Sequence, residues 1–320
     1  MITVVVPTYD GDRYLDALLT AVESQWIDAE VEVLVVDSGS TDGTLDIIAA
    51  HPRVRLLTIP NSEFSHGRTR QWAARESRGE LIAYLTQDAI PLSDSWLAEL
   101  AAPFALDQRV ALVTGRQHPR RTAFPLQKYE IVGSFAALGP ADGTSFVDGA
   151  QRAYVDHERG GFHSDVNAMV RRDLVLGPIP FRDVAYSEDM MMAQDVLNAG
   201  LVKAYAGKAA VEHSNDLTRS EYGRRIFDET IGLRRIGVEQ PALSRVGVLA
   251  RALRRSLGDA RRIFRDPDYC VAEKLRWLLV NPGYQLRKWS SYRRAARVSL
   301  DDHASIVANS LERGRRNRHR

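Results

Sequence analysis

The feature that most constrains this chain is a rhythm. A short continuous apolar run is followed by a polar break, then by a segment with apolar residues at helical spacing, then by another run. The runs are ITVVVPTY, VEVLVVDSGS, VRLLTIP, ELIAYLTQDAIP and VALVTGRQ, all within the first 118 residues. Uninterrupted apolar runs of this length suit strands covered on both faces. Between the first two, Leu15, Leu18, Leu19, Val22 and Trp26 recur at helical spacing. The alternation predicts an α/β fold with a mostly parallel central sheet flanked by helices.

Ligands of such sheets sit at the carboxyl ends of the strands. Those ends read Thr8-Tyr9-Asp10, Asp37-Ser38-Gly39-Ser40, Asn61 and Gln87-Asp88. Three of the four carry a carboxylate, the group that accepts hydrogen bonds from a base or ribose and ligates a hard divalent cation. The dinucleotide signature G-x-G-x-x-G is missing after the first strand, where PTYDGD stands.

After residue 118 the pattern loosens through QHPRRTAFPLQKYEIVGSFAALGPADGTSF, a stretch expected to be irregular and to face an acceptor. SDVNAMVRRDLVL follows, then FRDVAYSEDMMMAQDVLNAG, read as a loop and a helix capped by Ser187, and then the strand-like LVKAYAGKAAVEHS. Met190, Met191 and Met192 suit core packing.

The formal net charge of +2 conceals an asymmetry. Residues 245–320 hold 19 Lys and Arg against 7 Asp and Glu, and the rest of the chain holds 24 against 34. A basic, helical end points to an anionic partner. Trp277, Leu278, Leu279, Tyr284 and Trp289 lie among its Arg and Lys, as in interfacial helices, so an anionic membrane surface is the expected partner; packing on the acidic body is the alternative. Nucleic acid is not expected, because the aromatics fall in apolar stretches. The single cysteine, Cys270, excludes an intrachain disulfide and fits a reducing compartment. No apolar run is long enough to span a bilayer, and the first run is too short for a secretory signal. The expected location is cytoplasmic, or peripheral on the inner face of the plasma membrane.

VVVPTYDGDRYL, VLVVDSGSTDGT and LTQDA together resemble the inverting glycosyltransferases of family 2, which have the GT-A fold. NSEFSHGRTRQWAA, GRQHPR, SEDMMMAQDVLNAG and VEHSNDLT are similar to a bacterial subgroup in which rhamnosyltransferases of cell-surface polysaccharide assembly are common. The resemblance spans roughly residues 1–235. It implies a GT-A domain over 1–235, with a nucleotide-sugar half at 1–118 and an acceptor and catalytic half at 119–235. A basic helical extension at 236–310 and a disordered tail at 311–320 complete the expected division.

The resemblance also implies roles. Pro7, Thr8 and Asp10 match the first donor loop, with Asp10 where Asn is usual. Asp37 matches the carboxylate that holds the nucleobase or ribose. Arg70 matches a basic residue beside the donor base, and Gln71 replaces the common Asn. LTQDA matches the D-x-D site, with Thr86 in place of the first Asp, Asp88 as metal ligand and Gln87 beside it as a donor contact. His213 matches a histidine near the diphosphate and the metal, which is Mg²⁺ or Mn²⁺. Arg224 and Arg225 are candidates for closing over the diphosphate. Glu188 and Asp189 match the family's E-D pair, with Asp189 as general base and Glu188 orienting the acceptor.

Each position has a plainer use. Asp37 suits a helix cap, Asp88 a loop turning into Pro91, and Asp189 the dipole of its helix. His66 and His213 suit structural histidines, and the two arginines a solvated helix face. The implied activity is sugar transfer from a dTDP- or UDP-linked donor, rhamnose first, to a glycan or lipid-linked acceptor. A nucleotidyltransferase is the enzymatic rival, though it calls for a Gly- and Arg-rich loop where PTYDGDRY stands. A membrane-associated assembly protein with a degenerate transferase body is the non-catalytic one.

Overall fold

The computed structural model describes residues 1–154, 161–184 and 186–311. Two compact units emerge: residues 1–119 with 131–214, and residues 120–130 with 215–320.

The first unit holds nine strands: β1 (Ile2–Thr8), β2 (Val31–Asp37), β3 (Val54–Thr58), β4 (Leu81–Leu85), β5 (Ile90–Pro91), β6 (Val110–His118), β7 (Thr144–Asp148), β8 (Asn167–Arg171) and β9 (Val202–Glu212). They form one sheet in the order β3-β2-β1-β4-β8-β6-β9-β5, with β7 on β9. The first four strands pair in parallel, as the rhythm of runs and helices predicts. Beyond them the sheet is mixed. β8 runs antiparallel to both β4 and β6, while β6 and β9 are parallel.

Side chains alternate across a strand, so each run feeds two cores. Val4 and Val6 of β1 pack with Leu15, Leu18, Leu19 and Trp96 on one face. Val5 packs on the other face with Ala73, Ala74 and Ala193. That second face carries helix His66–Glu76 and helix Glu188–Asn198, which bring Arg70 and Glu188 to the same layer. Met192 is in this core, as its sequence context predicts. The first helix is shorter than its periodicity suggests. It ends at Glu23, and Trp26 lies beyond it, 82% exposed.

Asn167 locks the mixed half. Its buried amide donates to the carbonyls of Arg116 and Ala209 at 3.0 and 2.8 Å and accepts from the Trp96 indole at 3.0 Å. Gly115 leaves room for it: a Cβ there would sit 2.3 Å from the Asn167 amide nitrogen.

The second unit is helical: Arg219–Arg235, Arg245–Arg265, Val271–Arg297 and His303–Asn309. Thr218 and Glu221 form a capping box at the first. Phe124 stacks on Tyr284 with ring centroids 4.6 Å apart, and Lys128 pairs with Asp266 and Asp268 at 2.8 and 2.6 Å. Residues 312–320, nearly all of the expected tail, lie outside the described residues. Among the described residues, no helix is long and apolar enough to cross a membrane.

Candidate active site

The carboxyl ends of β1 and β2 are stitched together by short polar side chains. Asp37 is buried, and one of its oxygens accepts from the backbone N–H groups of Gly39 and Ser40 at 2.9 and 3.0 Å. Its other oxygen accepts from the Ser40 hydroxyl. Asp37 thus holds its own loop, not the N-terminus of the helix that starts at Thr44. Asp10 has φ 44° and accepts from the Thr41 N–H at 2.8 Å, while its own N–H donates to the Ser40 hydroxyl at 2.9 Å. Pro7 is half-buried and Thr8 buried, and the Thr8 carbonyl accepts from the Ser38 N–H at 2.9 Å. Gln87 bridges β4 to the same loop: its amide accepts from the Tyr9 N–H at 2.7 Å and donates to the Tyr9 carbonyl at 2.9 Å.

Asp88 and His213, 125 positions apart in the sequence, meet with Nε2 and Oδ2 3.5 Å apart. The other ring nitrogen of His213 lies 3.0 Å from the Gln117 amide oxygen. An amide oxygen only accepts, so Nδ1 carries a proton, and Nε2 is the nitrogen turned to the Asp88 carboxylate. An imidazole nitrogen and a carboxylate oxygen are ligand types for a divalent cation, and Gln117 orients the imidazole from behind. Among the described residues no group of three His, Cys, Asp or Glu side chains is placed to hold a metal ion. A divalent ion here would therefore draw its remaining oxygens from a bound phosphate and water, as Mg²⁺ commonly does.

A second cluster surrounds Arg70. Its guanidinium is buried, 2.7 Å from Glu188 and 3.3 Å from Asp165. Asp165 in turn lies 3.1 Å from Nε2 of His163, whose Nδ1 is 2.6 Å from the Thr114 hydroxyl. Burial works against charge on Arg70 and on Asp165, but their mutual attraction prevails: Arg70 is held above its usual range and Asp165 below. Burial dominates at His163 and favours its neutral form. Nearby Lys203 is also buried, and its pKa falls to about 7.

Asp189 behaves in the opposite way to Asp165. Burial, then the charges of Glu188 and Asp165, push its carboxyl well above the usual range. Oδ1 accepts from the Met190 N–H at 2.8 Å. A carboxylate tuned upward in this way is a stronger base than an ordinary aspartate.

Close packing sets the cluster's geometry. A Cβ on Gly67 would lie 2.1 Å from the Arg182 carbonyl, so only glycine lets the helix of Arg70 approach the segment leading to Glu188. The Ser65 hydroxyl donates to Asp183 at 2.8 Å across the same gap. Ser187 adopts φ 68° and makes no side-chain cap bond, contrary to the cap its sequence suggests. Asp10 and Ser187 are the two non-glycine residues with positive φ among the described residues, and both flank the candidate site.

The register of β4 and β8 connects the clusters. Leu85 pairs with Asn167, and the Thr86 N–H donates to the Val166 carbonyl at 3.3 Å. Asp88 therefore follows β4, and Asp165 precedes β8, at the same edge of the sheet.

Residues 3–176 match the family described as Glycosyl transferase family 2. The chain belongs to this family, and it is a glycosyltransferase. It is 32% identical to the O-antigen chain rhamnosyltransferase RfbN of Salmonella typhimurium, over 71% of this chain and 70% of the relative. It is 30% identical to the O-antigen chain rhamnosyltransferase WbaN of Salmonella anatum, over the same shares. Its fold is similar to that of the mannosyltransferase PcManGT of Pyrobaculum calidifontis in complex with GDP-Man and Mn²⁺. There the TM-score is 0.59 at 18% identity, covering 93% of this chain and 86% of that one.

Of the residues marked in the sequence, Pro7, Thr8, Asp10, Asp37 and Gln87 come together at one loop cluster, and Asp88 pairs with His213. Arg70, Glu188 and Asp189 share a third cluster. Arg224 is half-buried on helix Arg219–Arg235, in the second unit. Sequence reasoning missed Asp165, His163 and Gln117.

Proposed function

We propose that the chain transfers a sugar, with rhamnose from dTDP-rhamnose as the first candidate, to a hydroxyl of a glycan or lipid-linked saccharide, with inversion at the anomeric carbon. The observation that carries this is the split between two neighbouring acids around Arg70: Asp165, buried 3.3 Å from the guanidinium and held ionised, and Asp189, beside the Arg70-bound Glu188 and pushed toward its protonated form. Environments that drive titratable groups apart in this way mark acid–base assignments. The likeness to two O-antigen rhamnosyltransferases supports the choice of sugar. A UDP-hexose is the alternative donor.

In this reading the loops at Pro7, Thr8, Asp10, Asp37 and Gln87 bind the nucleoside. The acceptor oxygen attacks the anomeric carbon from the face opposite the diphosphate. As the new C–O bond forms, the hydroxyl proton passes to Asp189, and the sugar–phosphate bond breaks to release the nucleoside diphosphate. Glu188, fixed by Arg70, raises the proton affinity of Asp189 and orients the acceptor. Asp88 and His213 would hold Mg²⁺ or Mn²⁺, which when bound neutralises charge on the departing diphosphate. Arg224 is assigned to the diphosphate by the family resemblance. The basic helical end serves an anionic membrane surface carrying the lipid-linked acceptor.

A thermal-shift screen of nucleoside diphosphates with and without Mn²⁺ tests the donor site. A metal-dependent rise with dTDP, lost in Asp88→Ala, is expected. No rise with any nucleotide would favour the degenerate assembly protein instead.

A further inference from the structure

The second unit exposes apolar side chains that its own core does not use. On helix Arg245–Arg265, Leu253 is 65% exposed, Leu257 63% and Phe264 73%. On helix Val271–Arg297, Leu275 is 60% exposed and Leu279 83%. Five residues join the two helices. Asp259 accepts from Asn281 and Gln285 at 2.9 and 2.6 Å, so the helices form an antiparallel hairpin packed along that line.

The direction of the exposed residues follows from helix geometry. At about 100° per residue, Leu253, Leu257 and Phe264 lie roughly 120–160° from Asp259. By the same count Leu275, Leu279 and Leu286 lie roughly 100–140° from the mean of Asn281 and Gln285, in the same rotational sense. In an antiparallel pair, equal displacement in one sense from the packing line puts both stripes on one side. The hairpin therefore offers a continuous apolar face.

Its surroundings are basic. Residues 245–297 contain 14 Lys and Arg against 4 Asp and Glu, and two of those acids, Asp259 and Asp266, are buried. Arg254 and Arg261 are exposed at one edge of the stripe. We infer that this hairpin face seats the chain on an anionic phospholipid surface, with the leucines and Phe264 entering the headgroup–acyl boundary and the arginines on the phosphates. A twofold dimer through the same face would bring two copies of this basic surround together, which disfavours a second copy as the occupant. The inference rests on the membrane partner named above and assigns it to this face and to apolar insertion.

Co-sedimentation of the full chain with phosphatidylcholine vesicles, with and without phosphatidylglycerol, tests it. The wild type is expected to bind only the anionic vesicles. Leu253→Glu/Leu257→Glu is expected to weaken that binding at least about tenfold, since each leucine gives up a full burial. Arg254→Gln/Arg261→Gln is expected to weaken it severalfold, with a shallower salt dependence. Vesicle binding unaltered in the leucine variant would overturn the assignment to this face. So would a leucine variant whose only change is from dimer to monomer in sedimentation velocity. A wild type that binds nucleotide but no vesicle would overturn the membrane partner and leave the transferase reading standing.

Discussion

The two units invert each other. The first hides charge: Arg70, Asp165, Glu188 and Lys203 are all nearly excluded from water. The second shows water its hydrocarbon, from Leu253 to Leu279. Soluble proteins avoid both arrangements, because a buried charge needs partners and a large exposed apolar face lowers solubility. Each exception therefore points to work beyond folding. Buried charge marks chemistry, and exposed hydrocarbon marks a partner. The contrast also separates the ways each patch fails when altered: the buried charges in activity and stability together, the exposed apolar face in neither.

The sharpest way to break this comparison is Asp189→Asn. Transfer is expected to fall by about 10²–10⁴-fold, the usual worth of a general base, while nucleotide titration stays near wild type. Loss of nucleotide binding instead would remove Asp189 from the base role. Arg70→Leu comes next. It leaves Asp165 and Glu188 buried without their cation, so denaturant unfolding should show a loss of about 3–5 kcal/mol. A near-neutral result would mean that the buried charges are not coupled as the distances imply. A pH profile of transfer sharpens the picture. Asp189 acts only when ionised, and its pKa is raised, so activity should fall on acidification well above the ordinary aspartate range. An acid limb near pH 3.8, its unshifted value, would contradict the burial argument. The smallest effect belongs to Leu279→Ser, whose unfolding free energy should stay within about 0.5 kcal/mol of wild type. A large loss would show that the apolar face serves the fold after all.

The parallel half of the fold was legible because its strands are unbroken apolar runs, and their carboxyl ends marked Asp37 and Asp88 directly. Asp189 and His213 were legible through family resemblance. Asp165 and His163 were not, although HSD stands immediately before the apolar VNAMV. The strand-end rule looks after a strand, and these residues precede one. β8 is antiparallel, so its amino end lies at the edge where the parallel strands have their carboxyl ends. No local pattern announces that reversal, because direction is a property of pairing and not of a run. Gln117 was hidden for a related reason. It looks like the polar end of β6 until His213 arrives beside it.

The place of β9 has a consequence for how the protein is made. β5 has its antiparallel partner only in β9, where Ile90 pairs with Glu212 and Pro91 with Val211. The His213 N–H then donates to the His118 carbonyl at 2.8 Å. A ribosome that has delivered the first hundred residues has therefore supplied β1 to β4 and the loops that follow them, but only one member of the Asp88–His213 pair. More than a hundred further residues must emerge before that pair exists. The nascent chain can shape the loops after β1 and β2 early, while the Asp88–His213 pair waits for β9, and a truncated translation product ending before it lacks that pair altogether.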